Sequence, residues 1–291
     1  MTPYDALLAP FVEFDFMRRA LVGSLALSVG AAPIGVFLML RRMSLAGDAM
    51  AHAILPGAAV GFLVAGLSLP AMTLGGLAAG VAVAVLSGLL TRTTVLKEDA
   101  ALAAFYLLSL ALGVTLVSLK GSNVDLLNVL FGSVLALDDD ALYLLAGVSS
   151  VTLLTLAALY RPLVLECVDP GFLSSVSRAG GPTHLVFLGL VVLNLVAGFQ
   201  ALGTLLSVGV MMLPAASAAF WSARLSGMFV AAISVGALSS VFGLLASYHT
   251  GVPSGPAIVL AAGVLYLGSI AFGASSGLVW RLLPARRHRT A

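Results

Sequence analysis

Two residues stand out by type and spacing in this chain, Asp48 and His52. They lie four apart in Gly47-Asp48-Ala49-Met50-Ala51-His52-Ala53-Ile54-Leu55-Pro56-Gly57, an otherwise apolar stretch. On a helix that separation places two side chains on one face, about 40° apart and close enough to share an ion. A carboxylate and an imidazole form a reasonable ligand pair for zinc or manganese. The plainer alternative is that Asp48 caps the start of a helix while His52 bonds a neighbouring carbonyl. Ionisable groups in an apolar span are costly and are mostly kept for function, which favours the ligand reading. The depth of the pair in a membrane stays open.

A second feature is the longest polar stretch between apolar runs, residues 161–182, with Pro162-Leu163-Val164-Leu165-Glu166-Cys167-Val168-Asp169-Pro170-Gly171-Phe172 at its front. Phe172, Leu173 and Val176 would share one face of a short helix, able to dock in a partner's groove. Composition alone leaves this even with an ordinary connector. Glu98 and Asp99 read as caps of a following helix, and Met211 and Met212 as gap-fillers rather than soft metal ligands. His184, His249 and His288 each stand alone and read as solvated. No Gly-Lys dipeptide occurs, so a phosphate-binding loop of the Walker type is absent and ATP hydrolysis by that route is excluded.

The elements that must position these residues follow from composition. The chain has 291 residues, 60% hydrophobic and 9% charged, with a mean hydropathy of +1.13. A soluble domain carries about 25% charged residues, so that class is excluded. Apolar runs recur at residues 19–40, 45–66, 70–90, 99–118, 140–160, 183–200, 202–220, 226–247 and 255–274. A helix crosses a bilayer in about 20 residues, so this length holds about eight or nine spans and no large soluble domain. The count falls to eight if residues 5–20 form an amphipathic helix or if two central runs are one broken helix. No ten-residue alternation of a barrel appears, so the expected fold is an all-α polytopic bundle, one domain over 1–291. Val124 to Leu137 is too short for a full span and reads as an interfacial or re-entrant helix.

Charge sets the expected orientation. Placing Arg41 and Arg42 inside puts eleven of the 14 basic residues inside and leaves Arg18, Arg19 and Lys120 outside. The C-terminus and the stretch 161–182 are then cytoplasmic. Arg18 and Arg19, just before the first run, fit the outer side poorly. Gly57 with Gly61 and Gly76 with Gly80 are spaced for close helix packing, and Pro33, Pro56 and Pro214 lie inside spans as kinks. The lone Cys167 allows no internal disulfide. Residues 1–17 lack a cationic leader and are not expected to be a cleaved signal. The scattered basic residues do not suggest nucleic acid.

Leu40-Arg41-Arg42-Met43-Ser44-Leu45-Ala46 running into Gly47 to Gly57 resembles the signature of ABC-type zinc/manganese permeases, the metal-ion ABC-3 family. The resemblance continues in order through Lys97-Glu98-Asp99-Ala100-Ala101, Leu119 to Asn123 with Leu130-Phe131-Gly132, Pro162 to Phe172, Gln200 to Leu206, Met212 to Ala216 and Pro253 to Pro256, over residues 16–275; Tyr248 to Val252 matches less closely. It implies a type II-like importer permease in the inner (plasma) membrane of a bacterium, working as a homodimer. The implied partners are a separate cytoplasmic ABC ATPase and an extracytoplasmic metal-binding protein. It further implies that 161–182 is the coupling loop, with Pro162, Leu163, Leu165, Glu166, Asp169 and Phe172 meeting the ATPase. Asp48 and His52 would line the path of zinc or manganese, which is cargo; no stably bound cofactor is implied. Two other classes stay open: an ion-coupled secondary transporter with Asp48 as its protonation site, and an ABC permease for haem, siderophore or cobalamin.

Overall fold

The computed structural model describes residues 4, 7–66, 68–95, 98–119, 134–169, 172, 173, 175, 177 and 180–279. Among these the fold is helical throughout. The helices are α1 (Ala9–Glu13), α2 (Asp15–Leu40), α3 (Ala46–Ala65), α4 (Leu69–Thr93), α5 (Glu98–Leu119), α6 (Asp139–Ala158), α7 (Tyr160–Val168), α8 (Gly180–Leu202), α9 (Thr204–Trp221), α10 (Leu225–Thr250) and α11 (Ser254–Phe272). A short 3-10 turn, Val134–Ala136, precedes α6.

Eight of these helices, α2, α3, α4, α6, α8, α9, α10 and α11, are long and apolar enough to cross a membrane. At about 1.5 Å per residue the 26 residues of α2 reach about 39 Å, more than the hydrocarbon thickness. The run expected at 99–118 is α5, whose apolar described part is the shorter Ala100–Gly113. The runs expected at 183–200 and 202–220 are two helices, because Gly203 turns the chain with φ 92°, a backbone state open to glycine. Most of the expected interfacial helix at 124–137, the basic tail from Arg281 onward, Lys97, Lys120, Arg178, His288 and Val176 lie outside the described residues.

Two triplets flank a central pair. Helices α3, α4 and α5 pack on one another, as do α9, α10 and α11. Helix α2 lies against α6, α9 and α10, while α8 touches α2, α3, α4, α6, α7 and α9 and forms the middle of the bundle. Lipid gives no hydrophobic drive between helices, so small residues and polar staples set these contacts. At the α3/α4 crossing Gly57 and Gly75 meet backbone to backbone, and Gly61 lies on Ala71. Gly76 and Gly80 instead leave room for Ile54 and Val192. Asn194 on α8 donates to Thr152 Oγ1 on α6 at 2.7 Å, and Ser149 Oγ on α6 donates to the Ala26 carbonyl on α2 at 2.6 Å.

Arg18 and Arg19, which fit the outer side poorly, are both paired in the structure. Helix α2 begins at Asp15, earlier than the apolar run, and takes both arginines into its first turns. Arg18 Nη2 lies 2.7 Å from Asp15, and Arg19 bridges Asp15 at 2.9 Å and Asp139 at 3.3 Å. The pairs offset the two positive charges locally and so lower the cost of holding them at a helix end. Tyr248, near the end of α10, packs against Phe14 at the same end, with the rings tilted. The arginines of 41 and 161 lie with the opposite end of α2.

Candidate functional site

The residues around Asp48 are placed by the corner between α2 and α3. The N–H of Met43 bonds the Leu38 carbonyl at 2.9 Å and that of Arg42 bonds the Met39 carbonyl at 3.0 Å. This pair of bonds is a Schellman closure of α2, with Arg42 in the left-handed state at φ 60° and buried Met43 packing toward Leu38. Glycine is the usual residue there; an arginine makes it a strained and well-defined corner. Helix α3 starts three residues beyond Met43, so Asp48 falls in its first turn, where the helix dipole favours an anion. The residue before α3, Leu45, makes no side-chain cap.

One turn further on, His52 Nε2 lies 3.7 Å from Asp48 Oδ1, with the side chains 37% and 64% exposed. The structure therefore brings the two expected residues onto one face. His52 Nδ1 is buried and has no hydrogen-bond partner among the described residues. The imidazole is thus not tied from behind as a resident metal ligand usually is. The Tyr106 ring, on α5, lies 6.1 Å from the His52 ring. It closes a cavity of about 150 Å³ lined by Leu45, Ala46, Asp48, Ala49, Leu102, Ala103 and Tyr106. Helix α5 is held there by Ser109 Oγ donating to the Ala53 carbonyl at 3.0 Å and by Gly113 against Pro56. Among the described residues no group of three or more His, Cys, Asp or Glu could hold a metal.

The stretch expected as a polar loop opens as the short helix α7, with Pro162 in its first turn, where a missing N–H costs nothing. Leu163 is fully buried, while Leu165, Asp169 and Phe172 are exposed. Asp169 Oδ1 accepts the N–H of Phe172 at 2.9 Å and so shapes the exit turn. Glu166 points inward. Its Oε2 lies 2.5 Å from Arg41 Nη2, with the two side chains 13% and 6% exposed. The atoms sit at ion-pair distance without hydrogen-bond alignment. Glu166 Oε1 is 3.5 Å from His184 Nδ1, which in turn is 3.1 Å from Arg41 Nη1. The Phe187 ring lies 4.5 Å from the guanidinium carbon, a cation–π contact. Burial pushes the neighbouring Cys167 thiol up from its ordinary range, and Arg41 pulls it partly back.

His184 is therefore not the solvated residue expected at a span start; it is buried, because α7 folds over it. Arg41, expected as a topology signal, is likewise enclosed. Sequence reasoning missed this cluster because its members lie 125 and 143 positions from Arg41. No local signal marks such pairs.

Comparison with known proteins bears on the chain as a whole. The model of the ABC 3 transport family matches residues 13–273. The manganese import system permease protein ScaB of Streptococcus parasanguinis is 34% identical over 255 residues, covering 88% of this chain and 90% of that protein. A membrane protein of Haemophilus influenzae named for an iron transport system is 30% identical over 277 residues, 95% of this chain and 96% of that protein. The solved structure of PsaBC from Streptococcus pneumoniae in complex with Fab superposes with a TM-score of 0.80 at 30% identity. It covers 92% of this chain and 97% of that one.

Proposed function

Because the chain belongs to the ABC 3 transport family, we propose that it forms the ion path of an ATP-driven importer of a divalent metal, manganese first, with zinc and iron as the competing cargo. The observation that carries this is the Asp48 and His52 pair on one face of α3 beside a small cavity. The names of the relatives add the metal class, two of them pointing to manganese and to iron. Carboxylate and imidazole accept all three ions, so these two donors do not choose among them.

An ion arriving from an extracytoplasmic metal-binding protein exchanges part of its water for Asp48 Oδ1 and His52 Nε2. It then passes inward when the bundle rearranges. The work comes from a separate cytoplasmic ATPase, since no phosphate loop is present in the sequence. The exposed side chains Leu165, Asp169 and Phe172 form the docking face, and buried Leu163 with Pro162 roots it in the bundle. A second copy of the chain completes the path. This reading puts the end of the bundle holding Arg41 and Arg161 in the cytoplasm.

The test is uptake of labelled manganese by vesicles holding the complete transporter, with Asp48→Asn, His52→Ala and the double variant at matched membrane levels. Each single change is expected to lower ATP-dependent uptake on the order of tenfold or more. The double variant falls no further, because groups sharing one ion act as a unit. Near-normal uptake in Asp48→Asn would return this residue to a helix-end role, since Asn serves there as well as Asp. Uptake that ran on an ion gradient without ATP would instead make the chain a secondary transporter.

A further inference from the structure

We propose that Arg41, Glu166 and His184 form an internal relay that carries movement of the docking helix α7 to Asp48 and His52. The proposal rests on the reading above, that α7 docks on the ATPase and that Asp48 and His52 meet the metal.

The first argument is burial. An enclosed ion pair is weak support for stability, because the cost of desolvation offsets the attraction, and apolar residues of similar size serve as well. Arg41 and Glu166 are 6% and 13% exposed, so the pair lies in that regime. His184 lies beside both partners and the Phe187 ring covers the guanidinium, while Arg41 Nε and Nη2 and Glu166 Oε2 make no hydrogen bond among the described residues, so the cluster is not optimised for stability. What the arrangement provides is a directional link between elements.

The second argument is which elements it links. Glu166 is on α7, Arg41 caps the C-terminus of α2, and His184 and Phe187 stand in the first turns of α8, the central helix. Helix α7 is only nine residues long and rests on α6 and α8. Its side chains divide: Leu165 and Val168 face outward, and Leu163 and Glu166 face the bundle. A push on the outer side therefore reaches the bundle through those inner two.

The third argument is the path from Arg41 to the ion. Asp48 follows Arg41 by seven positions, and the intervening corner is closed by the two Schellman bonds and the left-handed Arg42. Such a corner does not absorb displacement the way an open loop does. A shift of the Arg41 guanidinium turns the start of α3 and moves Asp48 against Leu102 and Tyr106, which face it across the cavity. In this scheme Arg41, Glu166 and His184 are positioning residues and touch no metal.

The experiment uses the permease with its ATPase and binding protein in vesicles, and reads labelled manganese taken up per ATP hydrolysed. Arg41→Ala, Glu166→Ala and the double variant are compared with the unaltered chain. The relay predicts a fall in this ratio by about tenfold, the upper part of the range for residues that carry coupling without touching a ligand. It predicts the same fall in all three variants, because one broken link is broken once. A role in stability alone would lower uptake and hydrolysis together with the amount of assembled complex, and leave the ratio unchanged; that result overturns the proposal. Each single variant leaves a lone buried charge and could fail to assemble, whereas the double variant leaves no unpaired partner. A double variant that also fails to assemble overturns the proposal, since the pair would then be part of the fold. If the unaltered transporter moves no manganese, zinc or iron with ATP, the functional reading fails before the relay is tested.

Discussion

Replacing Gly57 with alanine tests the crossing of α3 with α4, where two backbones meet on the helix that carries Asp48 and His52. A Cβ at this position would lie 2.6 Å from the Cβ of Ala79 and nearer still to the Gly75 carbonyl oxygen, against the 3.4 Å where ordinary contact begins. The nearest opposing atom is backbone, so no side chain can swing away, and α3 and α4 must part by about 1.4 Å to bring the Gly75 oxygen out to ordinary contact. Overpacking of this kind costs about 1–3 kcal/mol. Alanine returns about 0.5–1 kcal/mol through its better helix propensity. The net expectation is a loss of about 1–2 kcal/mol.

Gly147 and Gly263 supply the control. Both sit within helices and nothing lies within 4 Å of the Cβ either would gain. Their alanine variants keep the propensity gain without the collision, so they should be neutral or more stable. Unfolding of the purified chain by SDS in mixed micelles, followed by helix signal, gives the three values side by side. Gly57→Ala is expected to unfold earliest by about 2 kcal/mol relative to Gly263→Ala. Because α3 also carries Asp48 and His52, metal uptake should fall with it. Equal stability of Gly57→Ala and Gly263→Ala would refute the reasoning, as it would mean that the two backbones do not meet.

Three further outcomes follow from the corner and from α7. Arg42→Gly relieves a left-handed residue and should raise stability by about 1 kcal/mol in the same unfolding assay. Phe172→Asp places a charge on the exposed face proposed to dock and should reduce recovery of the ATPase with the permease, without lowering the amount of permease in the membrane. Cys167 should alkylate with a neutral maleimide more slowly than free cysteine at about pH 8, because burial keeps the thiol protonated and the thiolate is the nucleophile. Its rate should rise only at higher pH, and Arg41→Ala should slow it further by removing the one charge that lowers its pKa.

The spans were legible because a bilayer imposes a single strong rule: eight of the nine apolar runs correspond to helices long and apolar enough to cross it, and the run at 99–118 to α5, whose apolar described part is shorter. Their ends were less so. The first run begins four residues after α2 does, since Arg18 and Arg19 look polar in sequence and are neutralised only by Asp15 and Asp139 in space. The pairing of Asp48 with His52 was legible because it is local, one turn of one helix. Tyr106, which faces them from α5, was not, because an aromatic residue in an apolar helix gives no cue to what it packs against. The same limit hid the cluster of Arg41, Glu166 and His184. Three charged or titratable groups at three helix ends each resemble a solvated terminus until the ends meet.

The polar side chains inside this bundle sort by where their hydrogen bonds go, and the sorting separates scaffold from the proposed path. Ser28, Ser207, Ser217 and Ser240 each donate to the carbonyl four residues earlier in their own helix, so each is satisfied locally and asks nothing of its neighbours. Asn194 with Thr152, Ser149 with Ala26, Ser109 with Ala53 and Trp221 with Ser269 join different helices and hold them in register. Asp48 and His52 belong to neither group. The pair is more than a third exposed and spaced 3.7 Å apart, and His52 Nδ1 has no partner among the described residues. In lipid such groups would be a steady cost. They are tolerable where water or a passing cation completes their shell, which is the condition a conducting site must meet while keeping its hold on the ion weak.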